Sequence, residues 1–200
     1  MTRRGCYAVR LGAKVNDKVK SVNPKVIDYA SNGMRTDFLD IYLSAKCRFI
    51  LCSDTGMSLP AEVFKRPLVF VNWTIPLRVP VNVDHGLVII KKFYIKDQER
   101  YMSFSEIIKF EFGGRDTNEI LASLNLELIE NTPEEIRDVS IEMDKRLAGT
   151  WETTDADEEL QDKFWSLFGP LLATFRCPLR FPRASPLVLY FNTLIAQFLH

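Results

Sequence analysis

Residues 48–67 constrain the fold of this chain more than any other stretch. A short apolar run rich in β-favouring residues, 48–52, ends abruptly at the polar turn Ser53-Asp54-Thr55-Gly56. Residues 57–64 then carry helical spacing, and Arg66-Pro67 leads into a second apolar run, LVFVN. Strand, tight turn, helix and strand in this order predict one βαβ unit of a parallel sheet.

The turn inside this unit is suited to an anion. Backbone N–H groups at the carboxyl end of the strand and the positive end of the helix dipole face one crevice. Ser53 and Thr55 add hydroxyl donors, and Gly56 allows a ligand to approach the backbone closely. Asp54 is expected to orient the turn through its own backbone. Because the same four residues also make a good structural turn and helix cap, the turn alone leaves both interpretations open.

Arg10 could serve the same crevice. It stands in the apolar run at residues 6–11, which predicts a buried strand, and Gly12 ends that run. If this strand lies beside the one that ends at Cys52, Arg10 reaches the crevice and pairs with a pyrophosphate. Otherwise Arg10 is a surface arginine at a strand end.

Two more polar residues fall where a nucleotide would need them. Glu62 lies about two helical turns beyond Ser53, where a carboxylate can accept hydrogen bonds from ribose hydroxyls or simply face solvent. Asn72 follows the strand predicted at residues 68–71, at the edge where open α/β sheets place ligands.

Composition narrows the class of protein. Lys+Arg and Asp+Glu both total 26, so the net charge gives no reason to expect a nucleic-acid partner. The charges are unevenly distributed, with eight basic and two acidic residues in 1–35 and an acidic stretch at 132–162. Two of the four cysteines fall in apolar, strand-like runs, which indicates reduced thiols in a cytoplasmic protein. Neither His85 nor His200 completes a zinc-ligand spacing, so no metal is expected.

Nothing in the sequence predicts a membrane span. The first residues lack the apolar core of a signal peptide. The longest apolar stretch, 187–199, contains Asn192, Thr193 and Gln197 and is shorter than the ~20 residues that a span requires. Membrane contact is therefore expected to be peripheral at most, at the inner face.

Helical signals flank the central unit. Thr36 is a predicted N-cap for a helix to residue 45, whose apolar stripe is Phe38, Leu39, Tyr42 and Leu43. Residues 87–95 predict a further strand or an extended arm, Ser103 is a predicted N-cap for a short helix, and residues 126–129 predict a last short strand. Thr132 opens a capping box, and a second helix after Thr154 is expected to bury Leu160, Phe164, Leu167 and Phe168. The predicted fold is α/β: a Rossmann-like parallel sheet with flanking helices over residues 1–168, followed by an irregular tail over 169–200. Because a core strand at a chain terminus is unusual, we also expect a preceding half to be missing.

Several phrases resemble one family. DFLDIYLSAKCRFILCSDTGMSLPAEVFKRPLVFVN at 37–72 is similar to the donor-binding half of GT-B-type glycosyltransferases, and most similar to a bacterial family linked to surface-polysaccharide synthesis. VRLG at 9–12, LIENTPEEI at 128–136 and GTWETTDADEELQDKFWSLF at 149–168 extend the resemblance over residues 4–168.

The resemblance implies a glycosyltransferase whose carboxyl-terminal half binds a nucleotide-diphosphate sugar for transfer to a glycan or lipid-linked acceptor. It places the diphosphate over Ser53, Asp54, Thr55 and Gly56 with Arg10 and Gly12, the ribose near Glu62, and the base near Asp28 and Tyr29. It implies no metal cofactor. The acceptor site and the unknown catalytic residues would belong to an amino-terminal domain or partner chain, so this chain alone is expected to be inactive.

Two other functions fit the same features. A GT-B-like sugar-nucleotide epimerase uses a similar turn without a second sugar. A non-catalytic or truncated nucleotide-binding fragment would keep the fold and show no turnover.

Overall fold

The computed structural model describes residues 1–53, 55–74, 86–109, 121–174 and 187–189. Side chains of 108–109, 168–174 and 187–189 lie outside that description. The described strands form three sheets. The strands, in chain order, are β1 Ala8–Val9, β2 Val26–Ile27, β3 Ile50–Cys52, β4 Leu68–Trp73, β5 Gly86–Ile90, β6 Lys92–Ile95, β7 Arg100–Tyr101, β8 Leu126–Ile129 and β9 Leu187–Leu189. The helices are α1 Asp37–Lys46, α2 Ser58–Val63, α3 Phe104–Lys109, α4 Pro133–Leu147 and α5 Asp155–Thr174.

The main sheet confirms the predicted parallel α/β class. Its four strands run in the order β3-β4-β5-β9, and each adjacent pair is parallel. Every residue of β5 and all of β4 except Asn72 are buried, as expected for central strands that are covered on both faces. The predicted βαβ unit is therefore present as β3, α2 and β4.

Alternate residues of the central strands serve two cores. Leu68, Phe70 and Val88 face a cluster that includes Ala61 of α2 and Phe164 of α5. Val69, Val71, Leu87 and Ile89 face the other side, where they pack against Val139 and Met143 of α4. The period of two along each strand thus gives a sheet between two helical layers.

The stretch after β5 differs from the prediction. Residues 87–95 read as one strand or extended arm, but β5 and β6 belong to different sheets. β6 pairs antiparallel with both β7 and β8, so the strand predicted at 126–129 is confirmed and lies outside the main sheet. Conversely, β9 lies inside the segment predicted as an irregular tail, and α5 continues to Thr174, past the predicted boundary at residue 168.

The helix starts follow the sequence signals. Thr36 accepts a hydrogen bond from the Leu39 N–H, and Thr132 and Glu135 form the predicted capping box with Pro133 in the first turn. The predicted apolar stripe of α1 is wrong for two of its four residues: Phe38 is 73% exposed and Tyr42 is also exposed, whereas Leu39 and Leu43 are half-buried. Ser44 is the buried residue of this helix. In α5, Phe164 is buried as predicted and Leu167 is exposed. The side chain of Phe168 lies outside the part of the chain that the structure describes.

The hydrogen bonds at the start of α3, around the predicted N-cap Ser103, depend on the ionised carboxylate of Glu106. The Glu106 carboxylate accepts hydrogen bonds from both terminal nitrogens of Arg100, at 2.8 and 2.9 Å, and from the Ser103 N–H at 2.7 Å. These bonds lower the pKa of Glu106 from 4.5 to about 2. Because this pKa is depressed in the folded state, its stabilising effect is present above about pH 4.5 and is lost as the pH falls towards 2.

We expect Glu106→Gln to lower the free energy of unfolding by about 1 kcal/mol at pH 7, a value reduced for solvent screening of this partly exposed pair. Urea denaturation of both proteins at a series of pH values measures the difference. It should shrink steadily below pH 4.5. A difference that is constant across this range would contradict the ionised role of Glu106.

Candidate functional site

The carboxyl edge of the main sheet brings the predicted turn and the end of β4 together. β3 and β4 are adjacent and parallel, and Cys52 lies opposite Phe70. Ser53 follows Cys52 directly, and Asn72 stands two residues beyond Phe70, so both reach the same edge. This edge is the usual ligand side of an open parallel sheet.

The turn itself retains two backbone donors. The Thr55 N–H donates to the Ser53 carbonyl at 2.7 Å, and the N–H groups of Ser58 and Leu59 donate to Thr55 and Gly56 carbonyls at 3.3 Å. The N–H groups of Gly56 and Met57 have no hydrogen-bond acceptor among the described residues. α2 begins only at Ser58 and has six residues, so these two donors, rather than a long helix dipole, are what the turn offers to an anion.

The side chains predicted to bind the diphosphate and the ribose are exposed or half-buried. Thr55 and Gly56 are exposed, while Ser53 and Glu62 are half-buried. A Cβ atom added to Gly56 would meet none of the described protein atoms within 4 Å. Glu62 lies on α2 as predicted. Asp54 lies outside the described residues.

Arg10 does not lie on a strand beside β3, as the sequence predicted. The run at residues 6–11 is not a buried strand: only β1 forms, both of its residues are exposed, and it pairs with β2 in a separate two-stranded sheet. The hydrogen-bonded neighbour of β3 is β4. The Arg10 guanidinium donates to the Asp17 carbonyl at 2.5 Å and lies 3.5 Å from the Asp28 carboxylate. The guanidinium of Arg10 therefore contacts groups in and around the β1–β2 sheet.

Asp28 and Tyr29 are also committed to local structure. Asp28 accepts hydrogen bonds from the Ser31 hydroxyl at 2.5 Å and the Val19 N–H at 2.9 Å. These bonds, together with Arg10, keep the pKa of Asp28 below its ordinary value. The buried Tyr29 hydroxyl donates to the Thr36 carbonyl and accepts from the Thr36 N–H, which fixes the start of α1. Oδ2 of Asp28 and the Tyr29 hydroxyl are thus held by protein partners. Oδ1 of Asp28 is buried, has no hydrogen bond among the described residues and lies 3.5 Å from Arg10.

Gly12 has a structural reason to be glycine. Its φ angle is +150°, and a Cβ atom there would lie 3.2 Å from Cγ1 of Val15. A larger residue would strain the backbone and press on the loop that follows. Arg10, Gly12, Asp28 and Tyr29 therefore form one group around β1 and β2, and the turn residues form another at the carboxyl edge of β3.

Asn72 is held by a residue that the sequence analysis did not single out. The Asn72 N–H donates to Oδ1 of Asn131 at 2.6 Å, and the Asn131 N–H donates to Oδ1 of Asn72 at 2.6 Å. Nδ2 of Asn131 donates to the Ile90 carbonyl at 2.8 Å. We call this arrangement the asparagine clip. It joins the ends of β4 and β5 to the residue just before the Thr132 cap.

The backbone of Asn72 explains the residue type. Its φ angle is +54°, in the left-handed region that asparagine tolerates better than most residues. The only sequence signal for the clip is an asparagine directly before a capping box, which local patterns do not link to a distant strand. Because its Oδ1 is engaged, Asn72 positions this edge of the sheet.

Two lysines at the same edge are neutralised by acids that precede or open α4. Lys91 lies 3.3 Å from a Glu130 carboxylate oxygen, and Lys92 lies 2.7 Å from Glu135. Glu135 also accepts the Thr132 N–H of the capping box. These lysines therefore add no free positive charge for a diphosphate.

Within the described part of the chain, no group of three or more His, Cys, Asp and Glu side chains is placed to hold a metal ion. No protein-family model, curated protein sequence or solved structure matches this chain. The resemblance to glycosyltransferases stays a prediction. Among the described helices, none is both long enough and apolar enough to cross a bilayer.

Proposed function

We propose that this chain binds the diphosphate of a nucleotide sugar at the turn between β3 and α2, as the donor-binding part of a glycosyltransferase. One observation carries the proposal: at the carboxyl edge of a parallel sheet, the turn keeps two backbone N–H groups that have no acceptor among the described residues. The N–H groups of Gly56 and Met57 and the hydroxyls of Ser53 and Thr55 are the groups that would contact phosphate oxygens.

The chemistry follows from what these donors stabilise. Sugar transfer breaks the bond between the sugar and the diphosphate, and negative charge develops on the departing phosphate oxygens. Fixed N–H and O–H donors stabilise that charge without reorganisation, and no metal is required by this scheme. Glu62 on α2 would accept the ribose hydroxyls. An amino-terminal acceptor-binding domain or partner chain would supply the acceptor and the base.

Calorimetric titration with UDP, GDP, ADP and UMP tests the site. We expect a diphosphate to bind more tightly than UMP, because UMP lacks the second phosphate. Thr55→Val removes one hydroxyl donor and should weaken diphosphate binding by about 1.5–3 kcal/mol, which is the value of a hydrogen bond to a charged group. Gly56→Ala should weaken binding as well, since the methyl group would occupy the space where the phosphate approaches.

A matched control is Thr153→Val, at an exposed threonine far along the chain from the turn. It should leave both stability and affinity unchanged. Gly56→Ala should also leave the melting temperature unchanged, since its methyl group meets no protein atom. Equal diphosphate affinity in the wild type and in the Thr55 and Gly56 variants would remove the assigned site.

A further inference from the structure

The loop between β1 and β2 carries an exposed excess of positive charge. Residues 13–25 contain four lysines and a single acid, Asp17. Lys14, Lys18 and Lys20 are exposed, and none of the loop lysines forms an ion pair within the described part of the chain. This differs from Arg4, Arg10 and Arg35 of the same region, all of which pair with carboxylates.

The loop is fastened at three points. Arg10 holds the Asp17 carbonyl, the Asp28 carboxylate accepts the Val19 N–H, and Nδ2 of Asn23 donates to the Thr2 hydroxyl at 3.0 Å. Its tip, residues 18–22, is therefore presented to solvent in a defined shape. Arg10 and Asp28, which also pair with each other, thus hold the backbone on both sides of Lys18.

Exposed apolar side chains lie in the loop and in the small sheet that flanks it. Val22 is fully exposed at the loop tip, and Val19 is partly exposed beside it. In the adjoining small sheet Val9 lies opposite Ile27, so their side chains share a face, and they are 37% and 36% exposed. Tyr7, two residues before Val9, is 65% exposed. Burying these groups in water-free surroundings would be favourable.

We propose that the surface formed by loop 13–25 and the β1–β2 sheet binds an anionic phospholipid bilayer. Unpaired lysines match the negative potential of such a membrane, and each contributes to attraction within a Debye length. The exposed valines and tyrosine match the boundary between headgroups and acyl chains. Nucleic acid would match the lysines but would leave the aliphatic side chains in water. This proposal does not depend on the proposed sugar-nucleotide site.

Vesicle co-sedimentation tests the surface with the full chain. We expect binding to vesicles of phosphatidylcholine with about 30% phosphatidylglycerol and little binding to phosphatidylcholine alone. Binding should fall strongly at about 1 M salt, where the Debye length is ~3 Å. A double-stranded oligonucleotide serves as the competing polyanion. Binding to the oligonucleotide without binding to anionic vesicles would overturn the proposal.

Two variants locate the contact. Lys18→Glu with Lys20→Glu should lower the partition coefficient on anionic vesicles by at least about 30-fold, since each lysine near the surface is worth about 1 kcal/mol, or about a factor of five. Val22→Ser, which changes no charge, should lower it by about tenfold through the lost apolar contact. Because all three side chains are exposed, their thermal melting curves should match the wild type.

The matched control is Lys46→Glu with Lys65→Glu, which changes the net charge equally at exposed lysines outside this surface. It should bind vesicles within about twofold of the wild type. If both double variants weaken binding equally, net charge and not this surface attracts the membrane, and the proposal is wrong. Unchanged binding by the Lys18 and Lys20 double variant has the same consequence.

Discussion

Asn131→Ala is expected to lower the free energy of unfolding by about 3 kcal/mol. Asn131 is 6% exposed, and its amide side chain joins two strand ends. Alanine would leave the Asn72 N–H and the Ile90 carbonyl without these partners, and each buried unsatisfied group costs about 1–3 kcal/mol. Urea denaturation monitored by circular dichroism measures the change.

Asn72 supplies the control for this prediction. Asn72→Ala and Asn72→Gly both remove the oxygen that accepts the Asn131 N–H, but only glycine adopts the φ angle of +54° without strain. Asn72→Gly should therefore be more stable than Asn72→Ala by about 1 kcal/mol. If Asn131→Ala costs no more than an ordinary surface substitution, within about 0.5 kcal/mol, the asparagine clip does not hold the sheet edge.

Asp144→Ala is the second large expected effect, with a loss of about 2–3 kcal/mol. The Asp144 side chain is 8% exposed and receives Nε of Arg4 at 2.6 Å and Nε of Arg48 at 2.7 Å. One carboxylate thus holds the first turn of the chain and the segment between α1 and β3 against the last turns of α4. Because both guanidiniums are partly exposed, they can be hydrated after the substitution, which keeps the cost below that of a fully buried pair.

The stabilisation that the Asp144 carboxylate provides should be lost in acid. Burial acts to raise its pKa, but the hydrogen bonds from Arg4 and Arg48 outweigh burial and hold the pKa below the ordinary value of 3.8. A depressed pKa means that the stabilisation is present above pH 3.8 and is lost as the pH falls through the lowered value. The difference between wild type and Asp144→Ala should therefore shrink in acid.

Asp138→Ala is the matched control for Asp144, because it removes a carboxylate from the same helix. Asp138 pairs with Arg137 at the surface, where its side chain is 43% exposed. Such a pair contributes about 0.5 kcal/mol or less. Equal losses in the two variants would contradict a special role for the Asp144 carboxylate.

Local signals predicted the parts of this fold that local physics determines. The caps at Thr36, Ser103 and Thr132 are side chains that bond backbone groups three residues away, so sequence spacing is sufficient to find them. The βαβ unit was recognisable because two apolar runs flank a short helix, and such neighbours in sequence usually pair in space.

The errors concern partners that are distant in sequence. An apolar run at residues 6–11 predicts a strand but contains nothing that specifies which strand it joins, and here it pairs with β2 rather than β3. The same is true of β9, which joins the main sheet from a proline-rich segment. The position of Arg10 was inferred from that unknown pairing, so its assignment to the crevice was the least determined of the site predictions.

The core combines segments that are far apart in the chain and are therefore synthesised at different times. Phe164 of α5 fills the same cluster as Phe70 of β4, although roughly a hundred residues separate them. At translation rates of roughly 5–20 residues per second, β4 leaves the ribosome several seconds before its helical cover. The nascent chain then carries an apolar strand that lacks the part of its cover supplied by α5, and we expect chaperones to bind it until α5 emerges.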